Sequence, residues 1–436
     1  MVRCAERVNL RAAEAVLAAG CSATVIVARN VLPEIGAPVL AGCAAAFVID
    51  LARREYRAPT SARPFACVIA ALFVVAIATP PHVPNDIRSY SADGRMIVHY
   101  HVSPYRVRPS ALAPDPAFAR VRDAVAPYGP LFIGATAVVS MAGRSGVPER
   151  AFYQAGAALA IGAALLLLWR SRRSTAGLVL LGLHPAVAAT IVNGGHNDAF
   201  VGLALLAAVI ATERRQYLGA GGIVAVAMLI KITAGLALIP LAVWALTRDG
   251  RRALAGVVTP TLALVVPATF AIRGLFSALR ASDMGLVTRT SIWNLYPLRA
   301  PLVGSFGDGA VTQLSLMAIG VAVVVVSLRG TVPAERVLGA VTAWLVLSAY
   351  VMPWYTVWAM PLAARDPRQP LARVVAAQGA LVTVAFLIPR HLIANWFVSF
   401  PLGWIGPIAL LVAFVRAVRA APTAGATPIA AGTSVS

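Results

Sequence analysis

Apolar runs of about 15–20 residues, parted by short polar breaks, recur along the whole chain. They lie near 12–28, 37–52, 65–80, 151–169, 175–192, 198–212, 217–230, 232–247, 253–272, 311–328, 336–352, 354–364, 374–390 and 400–418. Each is long enough to cross, or nearly cross, a bilayer core of about 30 Å. The pattern predicts an all-α polytopic transmembrane bundle of about 11–14 helices. One long polar interruption, 81–128, breaks the alternation near the N-terminus. We read residues 1–418 as one transmembrane domain, with a large outer loop and re-entrant or interfacial helices, short and amphipathic, across 81–150. The tail 419–436 is small and polar, and is expected to be a disordered cytoplasmic segment.

The short apolar stretch 129–143, GPLFIGATAVVSMAG, decides the topology. If it crosses, every later arginine cluster falls outside the cell; if it dips in or lies along the surface, all of them fall inside. Arginine-rich short loops favour the cytoplasm, so the second arrangement is expected, with an even number of crossings and both termini inside.

Composition supports a membrane partner and removes nucleic acid. The chain has 436 residues, 59% hydrophobic and 12% charged, against about 25% charged in soluble domains. The net charge of +20 sits in clusters between apolar runs: Arg53, Arg54 and Arg57; Arg170, Arg172 and Arg173; Arg214 and Arg215; Arg248, Arg251 and Arg252; Arg365, Arg368 and Arg373. That is the pattern of cytoplasmic loops. Cys4, Cys21, Cys43 and Cys67 form no CxxC pair and read as small core residues rather than a disulfide framework. No cleavable signal is evident, because the first apolar run leads straight into the next crossings. The Ala, Val and Arg usage is that of a GC-rich bacterial genome, so a bacterial plasma membrane is the expected location.

On this topology the chemically unusual residues collect on the outer face, at breaks between helices. Irregular backbone at membrane depth is tolerated where it is buried or lines a cavity, so one outward cavity is expected. Asp86, in PPHVPNDIRSYSADGRMI, lies just beyond the third apolar run and is followed by Arg88 and Tyr90. It suits a general base held near cations, or an ordinary N-cap. His196, Asn197 and Asp198 stand together between two apolar runs; Asp198 could cap the next helix, but polar residues at that depth point to function. Lys231 is the only lysine among 37 basic residues; it reads either as a snorkelling side chain or as a compact cation for phosphate. Arg88, Arg95, Arg273, Arg280, Arg289 and Arg299 could add to an anion site. Tyr90, Tyr100, Tyr105, Tyr128, Trp293, Tyr296, Trp354, Tyr355, Trp358 and Trp396 fall near the same boundary, as an interfacial belt or as sugar-stacking rings. His196 alone, and the pair His99 and His101, lack the spacing of a zinc site; no metal ligand set is expected.

Several pieces in this order resemble one family: Asp86-Ile87 with Tyr90, Ser103-Pro104-Tyr105, Tyr128-Gly129-Pro130-Leu131, His184-Pro185 followed by Gly195-His196-Asn197-Asp198-Ala199, Lys231-Ile232-Thr233, and Pro353-Trp354-Tyr355. From about residue 65 to 400 the chain is similar to bacterial polyprenyl-phosphate-mannose-dependent mannosyltransferases of the GT-C class, the actinobacterial enzymes of lipomannan and phosphatidylinositol-mannoside type. The resemblance implies a first outer loop carrying a catalytic aspartate, here Asp86, and a lipid-linked donor. It implies donor-phosphate contacts from Lys231, Arg88 and Arg95, and substrate contacts from Tyr90, Tyr105, Tyr128, His196, Asn197, Asp198, Trp354 and Tyr355. The expected partners are polyprenyl-phosphate-mannose, a glycolipid or glycan acceptor and membrane lipids. Many members carry two adjacent acids in this loop, whereas here Asn85 precedes Asp86 and the next acid is Asp93; that departure favours a metal-independent, cofactor-free reaction. Some members place histidines in the last outer loops, where this chain has Trp354 and Tyr355. The implied chemistry is inverting mannosyl transfer. The rival readings are an arabinofuranosyl- or other hexosyltransferase with the same donor logic, a lipid-to-glycan ligase, and a secondary transporter; a transporter commonly shows two symmetric halves, and none is visible.

Overall fold

The computed structural model describes residues 2–28, 31–32, 35–81, 85–112, 115, 118, 121–143, 148–281, 286–295, 301–303, 309–389, 391–392 and 396–421. Tyr296, Arg299 and the tail beyond Ala421 lie outside the described residues, as do the side chains of Arg280 and Trp396.

The described chain is a helical bundle without β-strands. The first half contains α1 (Val2–Ala28), α2 (Gly36–Arg57), α3 (Ala62–Ala78), α4 (Asn85–Val98), α5 (Pro130–Ala142), α6 (Glu149–Arg172), α7 (Thr175–Leu183), α8 (Asp198–Glu213) and α9 (Tyr217–Ile230). The second half adds α10 (Leu238–Asp249), α11 (Arg251–Ala271), α12 (Leu275–Ala281), α13 (Gly309–Ser327), α14 (Pro333–Leu347), α15 (Met360–Ala363), α16 (Pro370–Leu387), α17 (Trp396–Phe400) and α18 (Gly406–Ala420). Among the described residues eight helical segments are long and apolar enough to cross a membrane, or nine if α7 and the π-turn after it form one bent span. Leu159, Phe270 and Val321 expose more than half of their surface, as lipid-facing residues do.

Every apolar run of the sequence is helical, and the departures are local. Pro185 cannot donate a backbone hydrogen bond, so α7 stops at His184 and the chain continues as a π-turn, Ala186–Val192, bent by 48°. Pro353 likewise begins a 3-10 turn, Pro353–Trp358, where the sequence pattern predicts a crossing. Lys231, in extended conformation with φ −151°, separates α9 from the 3-10 turn Ile232–Ala237.

The two ends of the bundle differ chemically. At one end arginines close onto acids: Arg11 on the buried Glu55 at 2.7 Å, Arg54 on the partly buried Glu14 at 2.7 Å, and Arg365 on the more exposed Glu213 through two bonds of 2.9 and 2.7 Å. Glu55 also accepts from the Thr175 hydroxyl at 2.8 Å, tying α2 to the start of α7. Two-pronged arginine–carboxylate contacts fix helix ends geometrically as well as by charge.

The opposite end holds the outer-loop elements and the helix breaks. Helix α5 begins there, with Gly129 N–H donating to Ile230 C=O at 2.9 Å. It also finishes there, because Gly143 lies against Glu149, and Arg150 reaches the last carbonyls of α3. Thirteen residues span only about 20 Å at 1.5 Å per residue. Both ends of the 129–143 segment thus contact elements of this end of the bundle.

A candidate active site at the polar end of the bundle

Helix α4 is amphipathic and lies against α5. Gly94 makes this approach possible: a Cβ there would stand 2.2 Å from the Thr136 carbonyl oxygen. The docked helix presents Asn85, Asp86, Ser89 and Asp93 to a cavity of about 750 Å³, within the size range of small-molecule sites. Arg108, Arg122 and Tyr128 from the loop, and Met352, Trp354 and Phe386 from the second half, complete the main walls.

Behind Asp86 stands the turn at 193–198. Asn193 donates to the carbonyls of Ala76 and Thr79 at 3.1 Å each, which anchors the turn to α3. Gly195 adopts φ +62°, a conformation that only glycine enters freely, and its face is pressed against Tyr153 and Ile87. The reversal places His196 Nδ1 3.2 Å from Asp86 Oδ2, at ion-pair distance though without hydrogen-bond alignment. The imidazole lies flat on Trp354, with ring centroids 4.0 Å apart and planes 12° apart. The ring thus has one fixed orientation against the carboxylate.

Asp198 is not an N-cap. The cap position falls to Asn197, whose side chain makes no capping bond. The fully buried Asp198 carboxylate accepts from Lys231 Nζ at 2.9 Å and from Trp358 Nε1 at 2.7 Å. The Lys231 ammonium also sits over Tyr355, 4.5 Å from the ring centroid, and 5.7 Å from that of Trp358. A buried ion pair with an aromatic box is worth holding in place mainly because either charge alone would be costly.

The structure brings together Asp86, Tyr128, His196, Asp198, Lys231, Trp354 and Tyr355, and places the five other expected residues behind or beside them. Tyr90 is fully buried, packed edge-on against Tyr128 and Phe132 at 5.1 and 4.7 Å. Tyr105 is buried and donates its hydroxyl to the Tyr128 carbonyl at 3.0 Å, so it braces the wall from behind. Arg88 projects about 200° around α4 from Asp86 and is not among the cavity-lining residues. Arg95 is engaged by Asp115 at 3.0 Å, an acid that also accepts from the Tyr100 hydroxyl at 2.8 Å. Asn197 is buried beside the site with neither its amide nitrogen nor its oxygen hydrogen-bonded. Arg108 and Arg122 line the cavity without having been singled out in the sequence, where their loop, RVRPSALAPDPAFARVRD, carries several arginines of equal standing.

Electrostatics separate the two carboxyls on α4. Burial alone would raise the Asp86 carboxyl, but the adjacent His196, with Lys231 and Arg122 further off, outweighs it and holds the group below its ordinary value. Asp93 has no such company, and burial pushes it well above the usual carboxylate range. Among the described residues no group of three or more His, Cys, Asp or Glu side chains is placed to hold a metal ion.

Residues 10–248 match the family model described as "Alpha-(1->6)-mannopyranosyltransferase, N-terminal domain". The chain belongs to this mannosyltransferase family. The matched part contains Asp86, the 193–198 turn and Lys231, while Trp354 and Tyr355 lie beyond it. No curated protein and no solved structure matches the chain.

Proposed function

We propose that this protein transfers a mannosyl residue from polyprenyl-phosphate-mannose to a glycolipid or glycan acceptor at the outer face of a bacterial plasma membrane, with inversion, and that the product linkage is alpha-(1->6). The reading is carried by one observation: an aspartate at the wall of a large cavity, 3.2 Å from a histidine that is itself stacked on a tryptophan.

Asp86 accepts the proton of the acceptor hydroxyl as that oxygen bonds to the anomeric carbon. The bond from this carbon to the phosphate oxygen breaks, and its electron pair leaves with the polyprenyl phosphate. Charge builds on the sugar as in the oxocarbenium-like state of inverting glycoside hydrolysis, the acceptor standing where water would. A carboxylate held below its ordinary value is already deprotonated at neutral pH, and His196 keeps it aimed. A monophosphate leaving group needs positive charge. Arg108 and Arg122 are the cations on the cavity wall, and Lys231 adds its field from the second row, where Asp198 holds it. Trp354 and Tyr128 offer sugar-stacking faces, and Tyr90 and Tyr105 support them. The arginine-bearing end faces the cytoplasm by the charge rule, so the cavity opens outward.

Donor choice tests the proposal. In proteoliposomes holding the full chain and an alpha-(1->6)-mannoside acceptor, radiolabelled polyprenyl-phosphate-mannose should yield labelled product without added nucleotide sugar. Transfer from GDP-mannose alone, with none from the lipid-linked donor, contradicts it.

A further inference from the structure

Asp93 is unusual beyond its charge state. It lies seven residues after Asp86 on the same helix. Seven residues are two turns, so the two carboxyls share one face about 10 Å apart along the axis. Both line the same cavity. Asp93 is 94% buried, since only 6% of its surface remains exposed, and its Oδ2 has no hydrogen-bond partner.

A buried carboxyl without a partner is a cost that folding alone does not explain. The nearest basic residue in sequence, Arg95, is taken by Asp115, so no ion pair compensates. The Tyr105 hydroxyl is spent on the Tyr128 carbonyl. Leucine at 93 would fill similar space without the penalty. An unpartnered carboxyl on the wall of a cavity is placed to take a partner from what that cavity binds.

We infer that Asp93 is a substrate-positioning residue whose carboxyl hydrogen-bonds a hydroxyl of the carbohydrate bound in the α4 cavity. The inference rests on the reading of that cavity as a mannosyl-transfer site. A protonated carboxyl donates one hydrogen bond through O–H and still accepts at its other oxygen, so it can engage a hydroxyl in both senses. An ionised carboxylate could only accept. One helix thus supplies two carboxyls with separate tasks: Asp86 at the reacting atoms, and Asp93 two turns along, on a part of the sugar that does not react. The division follows the rule that environments drive paired acids to different protonation states.

The test uses the full chain in detergent micelles and the mannoside methyl alpha-(1->6)-dimannoside as the probe. Binding is read by tryptophan fluorescence, and transfer kinetics are read in parallel. Asp93→Leu should weaken dimannoside binding, and raise KM for a dimannoside acceptor, about tenfold, the scale of one lost hydrogen bond. Asp93→Asn, which keeps a donor and an acceptor, should recover most of the loss and stay within about threefold of the natural chain in both readouts. Both variants should unfold at a temperature no lower than the natural chain. Equal binding and KM in Asp93→Leu and the natural chain overturns the inference, as does a loss in Asp93→Asn as deep as in Asp93→Leu. Absence of dimannoside binding by the natural chain overturns it too. If Asp86→Asn retains full transfer while Asp93→Leu still weakens binding, the base assignment fails and this inference stands.

Discussion

Asp86 and Asp93 are the same chemical group on one helix face, and their surroundings set opposite protonation tendencies. For Asp86, held below its ordinary value of about 4, the active form persists above the folded pKa and is lost as pH falls through it. His196→Phe keeps a flat ring on Trp354 but removes the nitrogen beside the carboxylate, leaving burial as the largest influence. The acid limb of kcat should then move to higher pH, with kcat about tenfold lower and KM little changed; a pH–rate profile checks this, and an unmoved acid limb contradicts it. For Asp93 the sign is reversed. The folded chain retains a proton that the unfolded chain releases above about pH 4, so stability falls as pH rises, by up to about 1.4 kcal/mol per pH unit. Asp93→Asn should remove this slope, and its advantage in thermal unfolding should widen between pH 5 and 7. Of these residues, Asp86 and Lys231 stand out in the sequence because each is a scarce type at a helix boundary. Tyr90 and Tyr128 are indistinguishable there, since only the docking of α4 on α5 decides which ring is sealed and which meets the cavity.

At the scale of elements, the site exists because breaks in three helices meet. Lys231 at the end of α9, Asp198 at the start of α8 and Trp358 in the 3-10 turn form one cluster. Removing one charge strands the other in a buried place, a loss of about 3–5 kcal/mol for either Lys231→Met or Asp198→Asn alone. The double variant should lose much less than the two losses added; strictly additive unfolding temperatures contradict the pairing. This cluster was not legible in the sequence, because 33 residues separate the partners and local spacing makes Asp198 look like a helix cap. Gly94 carries the other contact that matters. Gly94→Ala should push α4 off α5, separate Asp86 from His196 and reduce transfer by about tenfold or more, with the rest of the bundle intact by circular dichroism.

Across the whole molecule, the all-α polytopic character follows from the length of the apolar runs, because a bilayer sets that length. Eight or nine of the described helices reach it, fewer than the roughly 11–14 expected, because several runs are broken at Pro185, Lys231 and Pro353. The contact between Asp86 and His196 places the outer loop and the 193–198 turn at the same end of the bundle, opposite Arg54 and Arg365. In a chain with its native cysteines replaced by alanine, Ser89→Cys should react with an impermeant thiol reagent in intact cells, and Arg172→Cys only after permeabilisation. Reaction of both from outside contradicts the orientation.

The central claim is that Asp86 takes the acceptor's proton. Initial rates of mannosyl transfer should be measured for the natural chain and for Asp86→Asn, at equal amounts of folded protein and with saturating polyprenyl-phosphate-mannose. The account predicts a fall in kcat of at least about 100-fold, with donor KM changed by less than about threefold. An Asp86→Asn variant that transfers mannose at the natural rate contradicts it.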